Sequence, residues 1–361
     1  MSANDHRFMA RALQLAERGL YTTDPNPRVG CVLVKDGAII GEGWHERAGG
    51  PHAEVMALKN AGDKSKGATA YVTLEPCAHT GRTPPCADEL SKAGVARVVY
   101  AGDDPNPQVA GQGAAMLKAG GIEVATGVCE LEAAALNPGF FSRWQKGRPF
   151  VRSKIAVSLD GRTALASGES QWITGEAARN DVQHWRARSS VILTGAGTVL
   201  ADNPRLTVRR DDLGDVLVPK RVVLDSSLQC NPQAELFKSE PVLVYYTAAG
   251  QENAQAFGDN VELKGMASDD GRVSLSAVMG DLAAQEINEV LVEAGPTLNG
   301  ALLSAGFIDE LIVYQASHVL GDAAKAMFAI EQLSTMSERT AMKLQDVRRV
   351  GDDLRLIYRP Q

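Results

Sequence analysis

The 361-residue sequence has no long apolar run, no excess of positive charge and few aromatic residues. It contains no stretch of the roughly 18 consecutive apolar residues that a membrane span needs, and its first residues lack the apolar segment of a secretory signal. We therefore expect a cytoplasmic protein without a membrane partner. Hydrophobic residues make up 44% and charged residues 22%, which is typical of a folded globular chain.

Positive charge is in short supply, with 37 lysines and arginines against 44 acidic residues. Residues 1–146 contain 15 basic and 16 acidic side chains, and the remainder contains 22 and 28. Proteins that bind nucleic acids neutralise phosphates with basic groups and stack bases on aromatic rings, which make up only 5% of this chain. The composition therefore favours a small-molecule partner over a nucleic acid.

Cysteine is also scarce, and the odd number of five excludes a disulfide framework that pairs every thiol. Scattered cysteines in a chain expected in the cytoplasm are more typical of free thiols or metal ligands. Cys77 and Cys86 lie close together in the sequence and near histidines. These two are the candidates for metal ligands.

The chain is longer than one ordinary domain of about 150 residues. Hydrophobic patterns predict two successive series of alternating strands and helices, with a break at residues 147–150, and thus two α/β domains at 1–146 and 147–361. Within them we predict one helix over 130–146 and a loop-rich excursion over 248–272. A strand pair is predicted over 342–359.

His52, Glu54, Cys77 and Cys86 form a pattern suited to zinc, which prefers thiolate and imidazole ligands. His52 and Glu54 converge only if His52 stands at the start of a helix, because residues two apart in a helix point about 200° apart. The zinc nucleobase deaminases carry H-x-E and P-C-x-x-C, with the glutamate as proton carrier. Here eight residues separate the cysteines instead of two. His79 offers an alternative, a closed structural site with four protein ligands.

Several polar residues near this pattern have two interpretations each. Asn26, between two prolines, is either a reader of the substrate ring or ribose, or a simple turn residue. His45 has a core, a surface or a substrate-contacting role. The remaining residues either receive a phosphate or stay solvated: His79, Thr80, Arg82 and Thr83.

The second half carries two weak phosphate-binding signals. Gly195 and Gly197 follow a predicted strand, but Leu200 occupies the third glycine position of the dinucleotide fingerprint, so a tight turn is the favoured explanation. Small residues at 295–301 follow an apolar strand and open a helix, which suits either a phosphate or a close strand–helix crossing. Lys154 is a candidate for polarising a bond of the substrate, although strand alternation leaves its direction open.

Eight segments spread along the chain resemble one known enzyme family, in the same order. They are PNPRVGCVLVKDG, GPHAEV, TLEPCAHTGRTPPC and DPNPQVAGQG, then KIAVSLDGRTA, GESQWITG, RARSSVILTGAGTVLADNPRLTVR and VEAGPTLNGALL. The family is the bifunctional riboflavin-biosynthesis protein, a diaminohydroxyphosphoribosylaminopyrimidine deaminase and 5-amino-6-(5-phosphoribosylamino)uracil reductase. The resemblance covers nearly the whole chain except about 248–272, and the longer cysteine spacing is normal in that family.

The resemblance implies a cytidine-deaminase-like three-layer domain followed by a dihydrofolate-reductase-like α/β domain. It implies zinc bound by His52, Cys77 and Cys86, with Glu54 as the catalytic proton carrier. The substrate would be 2,5-diamino-6-(5-phosphoribosylamino)pyrimidin-4(3H)-one, deaminated hydrolytically. NADPH would then reduce the ribosyl to a ribityl side chain.

The resemblance also implies contact residues in the second domain. The cofactor contacts are Ala156, Trp172, Thr198, Asp202, Ser226, Gly295, Pro296, Thr297, Leu298, Asn299, Gly300 and Ala301. The substrate contacts are Ser170, Arg186, Leu206, Arg209 and Glu293. Two rival interpretations are a tRNA or nucleoside deaminase with an accessory domain, and a non-enzymatic binding module stabilised by zinc. The sequence leaves the oligomeric state open, a homo-oligomer included.

Overall fold

The computed structural model describes residues 2–78, 84–107, 109–238 and 241–361. The chain divides into two compact units, Met1–Gly147 and Arg148–Gln361. This division falls one residue from the predicted domain boundary. Among the described residues, no helix is both long enough and apolar enough to cross a membrane.

The first unit consists of six α-helices and five strands in its described part. In chain order they are α1 (Ala3–Ala16), β1 (Gly30–Lys35), β2 (Ala38–Trp44), α2 (Ala53–Ala61), β3 (Thr69–Val72), α3 (Cys86–Lys92), β4 (Arg97–Tyr100), α4 (Gln112–Ala119), β5 (Glu123–Thr126), α5 (Glu130–Leu136) and α6 (Pro138–Lys146).

One mixed sheet, in the order β2-β1-β3-β4-β5, forms the middle layer of this unit. Strand β1 is buried on both faces: Val32 packs with Phe8 of α1, and Leu33 packs with Ala53 of α2. Successive side chains of a strand point to opposite faces, so an almost continuous apolar run is what a sheet covered on both sides requires. The result is the predicted three-layer arrangement.

The described part of the second unit contains thirteen strands, three longer α-helices and one short α-helix. In chain order the first part runs β6 (Phe150–Val157), β7 (Arg162–Ala164), α7 (Glu176–Ala187), β8 (Val191–Gly195), α8 (Ala196–Asp202), β9 (Lys220–Leu224), β10 (Val242–Tyr246), β11 (Val261–Gly265), β12 (Ser268–Asp269) and β13 (Arg272–Val273). The second part runs α9 (Leu275–Ala284), β14 (Glu289–Val292), α10 (Pro296–Ser304), β15 (Glu310–Gln315), β16 (Lys325–Ala326), β17 (Met342–Val350) and β18 (Asp353–Pro360).

The main sheet of this unit has the order β11-β10-β9-β8-β14-β6-β15-β18-β17. Strands β11 to β15 in that order pair in parallel, and β18 and β17 complete the sheet in antiparallel pairing. Ligands of open parallel sheets bind beyond the carboxyl ends of the strands. The segments that follow β6, β8, β9 and β14 are therefore brought to one edge.

Two predicted elements differ from the structure, and one helix near the candidate cofactor site was not predicted. The helix over 130–146 is two helices, because Pro138 restricts the backbone of Asn137 and starts a new helix. The segment 248–272 was predicted to be rich in loops, but it contains β11, a parallel strand at the edge of the main sheet. Its polar residues lack the apolar pattern from which a strand is predicted. Helix α8 was not predicted, since Gly195 and Gly197 favoured a turn.

Candidate active sites

Three candidate metal ligands meet in the first unit. His52 Nδ1 lies 3.1 Å from Cys86 Sγ and 3.6 Å from Cys77 Sγ, and all three ligand atoms lie within 4.8 Å of one another. Ligand atoms around a tetrahedral zinc with bonds of about 2.0–2.3 Å are separated by roughly 3.5 Å. The three residues therefore fit a zinc ion. The fourth ligand of the alternative structural site, His79, lies outside the described residues, as do Thr80, Arg82 and Thr83.

Two helix starts position these ligands. His52 is the N-cap of α2, with an extended backbone, so Glu54 in the first turn can turn toward the same point, as the spacing required. Cys86 begins α3 directly after Pro85, and its backbone N–H donates to Cys77 Sγ at 3.4 Å. Hydrogen bonds from Cys86 and His52 lower the pKa of Cys77 to about 4, which favours the thiolate that binds metal.

Glu54 is almost fully buried beside the ligands. Burial raises the pKa of Glu54, and the neighbouring His52 offsets part of that effect. A raised pKa makes a carboxylate a better proton acceptor, which is what a general acid–base group needs. The role of Glu54 as proton carrier stays a prediction, which its burial beside the three candidate ligands supports.

His45 and Asn26 form a hydrogen-bonded chain at this site. His45 Nδ1 lies 3.0 Å from the carbonyl oxygen of Pro51, and Asn26 Nδ2 lies 3.1 Å from His45 Nε2. The Pro51 carbonyl can only accept, so His45 carries its proton on Nδ1 and accepts the Asn26 N–H at Nε2. The Asn26 amide therefore contacts His45 through its nitrogen, and its oxygen points away from that contact. Of the three roles left open for His45, the structure excludes a surface role, because the side chain is buried.

Glu75 is a residue whose role sequence reasoning missed. Its carboxylate accepts backbone N–H groups from Asp104, Gly111 and Ala114 at 2.9–3.4 Å. It thus ties the 104–111 loop to the strand end that leads into Cys77. A buried acidic residue directly before Pro76 was the available signal.

The second unit contains a cavity of about 1370 Å³ at the carboxyl edge of its main sheet. Small-molecule sites usually enclose about 300–1,000 Å³, so there is room for a dinucleotide and a second ligand. Fifteen of the predicted contact residues line it. They are Ala156, Ser170, Trp172, Arg186, Thr198, Asp202, Leu206, Arg209, Ser226, Glu293, Gly295, Pro296, Thr297, Leu298 and Ala301.

Two predicted contact residues do not line the cavity. Asn299 is buried and bonds to Ser153 Oγ at 2.7 Å and the Ala294 carbonyl at 2.7 Å. A Cβ on Gly300 would lie 2.1 Å from the Ala329 carbonyl oxygen. Both residues pack α10 against the rest of the unit. Residues three and four apart share a face of a helix, so Thr297, Leu298 and Ala301 lie together on the cavity side and Asn299 and Gly300 lie on the opposite side.

A buried ionic group lies at one end of the cavity. Arg186 pairs with both oxygens of Glu293 at 2.5 and 3.0 Å, and Lys154 Nζ lies 3.2 Å from the same carboxylate. Burial by itself would raise the pKa of Glu293, but Arg186 and Lys154 hold it at about 2. The guanidinium fork of Arg186 is thus occupied by Glu293, and Lys154 faces the cavity.

Other cavity contacts join neighbouring strand ends. Gly295 N–H donates to Thr198 Oγ1 at 3.2 Å, and Ser170 Oγ donates to Asp202 Oδ1 at 3.3 Å. The guanidinium of Arg179 lies 4.5 Å from the ring centroid of Trp172, whose side chain is 67% exposed. Trp172 is therefore a cavity-wall residue and not part of the core. Arg179 and Gln183 also line the cavity, and sequence reasoning missed them.

Two protein families match the chain, one in each half. The cytidine and deoxycytidylate deaminase zinc-binding region matches residues 2–102. The RibD C-terminal domain matches residues 149–356.

Full-length relatives and solved structures are similar to the chain over nearly all of its length. The riboflavin biosynthesis protein RibD of Escherichia coli K12 is 49% identical over 360 residues, covering 97% of this chain and 98% of the relative. RibD of Acinetobacter baumannii, form 1, has a TM-score of 0.92 at 48% identity, covering 99% of each chain. A Thermotoga maritima diaminohydroxyphosphoribosylaminopyrimidine deaminase/5-amino-6-(5-phosphoribosylamino)uracil reductase has a TM-score of 0.88 at 37% identity, also covering 99% of each chain.

Proposed function

Since this chain belongs to the RibD family of riboflavin biosynthesis, we propose that each of the family's two activities is carried by one of its two units. The protein is a bifunctional deaminase and reductase that uses zinc and NADPH. We assign the deaminase to residues 1–146 and the reductase to residues 147–361. The observation that carries this proposal is that the zinc ligands and Glu54 all lie before Gly147, whereas every residue lining the large cavity lies after it.

The substrate follows from the Thermotoga relative and the chemistry of the sites. We propose that the first unit deaminates 2,5-diamino-6-(5-phosphoribosylamino)pyrimidin-4(3H)-one and the second reduces the deaminated product. Bound by His52, Cys77 and Cys86, zinc supplies the Lewis acid that makes water nucleophilic at neutral pH. Glu54 takes a proton from the attacking water and passes it to the ring nitrogen beside the amino-bearing carbon. It then transfers the remaining proton of the added hydroxyl to the amino group, which leaves as ammonia as the carbonyl forms.

Substrate selection in the first unit is assigned to Asn26. The contact with His45 fixes the Asn26 amide, which leaves its carbonyl oxygen as an acceptor for an N–H of the pyrimidine or a ribose hydroxyl. A rigid acceptor favours one ring orientation over others. His45 itself acts as a positioning residue.

In the second unit NADPH supplies the hydride for the sugar carbon. We assign cofactor contacts to Ala156, Trp172, Thr198, Asp202, Ser226 and the cavity-lining residues between Gly295 and Ala301, with Asn299 and Gly300 supporting the helix. Substrate contacts are assigned to Ser170, Arg186, Leu206, Arg209 and Glu293. Arg209 is suited to the substrate phosphate, because its side chain has no ion pair among the described residues. Lys154, held by Glu293, is suited to protonate the sugar oxygen as its ring opens.

The decisive experiment incubates the zinc-loaded protein with the diaminopyrimidinone nucleotide, with and without NADPH, and follows the products by mass spectrometry. Without NADPH we expect only exchange of an amino group for oxygen. With NADPH we expect the further gain of a hydride and a proton. Chelation of zinc from the folded protein should stop the first step and spare reduction of separately supplied deaminated nucleotide. Loss of both steps on chelation would contradict the division between the units.

A further inference from the structure

The large cavity of the second unit extends well beyond the substrate contacts. Its far end is formed by the segment after β9, the β12–β13 hairpin and the start of α9. The lining residues there are Leu224, Ser226, Gln229, Asp269, Arg272, Val273, Leu275 and Ser276. Only Asp269 and Arg272 in this group carry a charge.

The cations that line the cavity can be sorted by their partners. Lys154 and Arg186 neutralise Glu293, and Arg205 pairs with Glu235 at 3.1 Å. Arg179 covers the ring of Trp172 and donates to the Thr174 carbonyl. These four are engaged by the protein itself.

Three lining cations remain without a carboxylate partner among the described residues: Arg209, Lys325 and Arg272. Arg209 belongs to the substrate end, because its backbone N–H donates to Gln183 Oε1 at 2.9 Å, on the same helix as Arg186. Lys325 lies near Gly168, on the strand that pairs with β7. Arg272 is therefore the one cation at the far end of the cavity in the part of the chain that the structure describes.

The β12–β13 hairpin holds Arg272 in place. Asp270 and Gly271 both have positive φ, 49° and 78°, as a two-residue hairpin turn requires. The N–H of Val273 donates to Ser226 Oγ at 3.0 Å, which fastens the hairpin to the carboxyl end of β9. Since Ser226 Oγ accepts this bond, its own hydroxyl hydrogen can donate to a ligand.

The position matches one part of a dinucleotide. Strands β14, β8 and β9 are consecutive in the sheet. A cofactor with its phosphates at Gly295 after β14 crosses the end of β8 and brings its adenosine to Ser226 after β9. NADPH differs from NADH only by a phosphate on the adenosine ribose, and an arginine fork suits a phosphate.

We propose that Arg272, with the hydroxyls of Ser226 and Ser276, forms the subsite for the 2′-phosphate of NADPH and selects this cofactor over NADH. The inference rests on the assignment of this cavity to the cofactor. Asp269 faces Arg272 across the hairpin, in register, and its negative charge opposes a phosphate. Removal of the Asp269 charge should therefore strengthen binding of NADPH. If the Asp269 carboxylate instead accepted a hydrogen bond from the ribose 2′-hydroxyl, it would favour NADH.

Binding to the full-length protein tests this without any measurement of activity. Dissociation constants for NADPH and NADH are measured by nicotinamide fluorescence or calorimetry, with adenosine 2′,5′-bisphosphate and 5′-AMP as further probes. For R272Q we expect the NADPH constant to rise about tenfold to a hundredfold, as loss of charge-assisted hydrogen bonds predicts, with NADH unchanged. The bisphosphate should lose its advantage over 5′-AMP in the same variant.

Matched variants make the outcome specific. R205Q removes another arginine of the cavity lining, one that pairs with Glu235, and should leave the NADPH-to-NADH ratio as in the wild type. D269N should raise NADPH affinity and not NADH affinity. If R272Q does not fold, R272K keeps the charge without the fork and should lose part of the selectivity.

Three results would overturn the proposal: equal weakening of both cofactors by R272Q, no change in either, or full selectivity in R272K. If the wild type binds NADPH and R272Q binds it with the same affinity, the Arg272 subsite is refuted but the assignment of the cavity to the cofactor is not. A folded wild type that binds neither nucleotide refutes the assignment of the cavity to the cofactor. The two failures are thus distinguishable.

Discussion

The zinc centre and the reductase cavity distribute their chemistry in different ways. In the first unit, three metal ligands and one buried carboxyl group converge within residues 52–86. In the second, the lining residues are spread from Lys154 to Lys325 and contact the cavity mainly through small, polar and apolar groups. Coordination and proton transfer depend on single atoms, whereas cofactor binding sums many weak contacts. One substitution should therefore abolish the first reaction more readily than the second.

The largest expected effect is that of E54Q. The amide has nearly the same shape but cannot carry the proton, so deamination should fall by about 10²–10⁴-fold. Zinc content, measured by plasma mass spectrometry, should stay at the wild-type level, and reduction of deaminated nucleotide should persist. E46Q, at an exposed neighbouring acid, is the matched control. Loss of zinc from folded E54Q would show that Glu54 is a ligand.

The next effect concerns metal retention. In C86S a hydroxyl replaces a thiolate, so zinc affinity should fall by more than about a hundredfold, the upper range for loss of a merely supporting residue. The chain offers C230S as a control, because Cys230 is a buried thiol of the second unit. Titration with a chromogenic zinc chelator measures both. Equal zinc affinity in C86S and the wild type would remove Cys86 from the ligand set.

The ionic group of the cavity is where the second unit should be most sensitive to one change. E293Q leaves Arg186 and Lys154 buried without a counter-charge, which should cost about 3–5 kcal/mol in the free energy of unfolding at pH 7. Urea unfolding followed by circular dichroism measures this. A loss below about 1 kcal/mol, the range of an exposed ion pair, would mean that the group is solvated.

Acid titration sharpens the same prediction. The folded-state pKa of Glu293 is about 2, below its ordinary value of 4.5. A lowered pKa contributes stability that is fully present above pH 4.5 and is lost as pH falls toward 2. The shift corresponds to roughly 3 kcal/mol. The stability difference between wild type and E293Q should therefore shrink over that range; a difference independent of pH would contradict the pairing.

The smallest expected effect lies at the edge of the zinc centre. H45F removes the acceptor that fixes Asn26, so the KM of deamination should rise about tenfold, as loss of one buried hydrogen bond predicts, with a smaller change in kcat. Because the ring of His45 lies 5.4 Å from that of His52, zinc content is the control. H45N can be compared, since it keeps an acceptor. Identical KM values in the wild type, H45F and H45N would assign Asn26 to the turn.

The two sites also differ in how many of their residues could be predicted from the sequence. The candidate metal ligands and Glu54 were accessible because His52, Cys77 and Cys86 stand in short motifs whose residue types permit little other chemistry. Hydrophobic patterns gave the α/β layering, and the family resemblance gave the three-layer fold. Most reductase contacts came only from the family resemblance, since residues such as Ala156 or Leu206 have no chemical signature of their own. Arg272 could not be predicted because nothing local in the sequence distinguishes it from a surface charge, whereas the position of Glu75 directly before Pro76 and Cys77 was a signal.

The sequence by itself determined the alternation of strands and helices, the zinc pattern and the absence of a dinucleotide fingerprint. These depend on spacing within a few turns of chain. Only the tertiary structure decided that Arg186 is already paired with Glu293 and that Asn299 and Gly300 face the core. It also decided that Arg272, among the residues that the structure describes, lines the cavity without an ion-pair partner. Each of these features depends on residues that are far apart in the chain or on different strands. The physical reason is that charge compensation and side-chain direction depend on neighbours in space, which only the order of strands in the sheet determines.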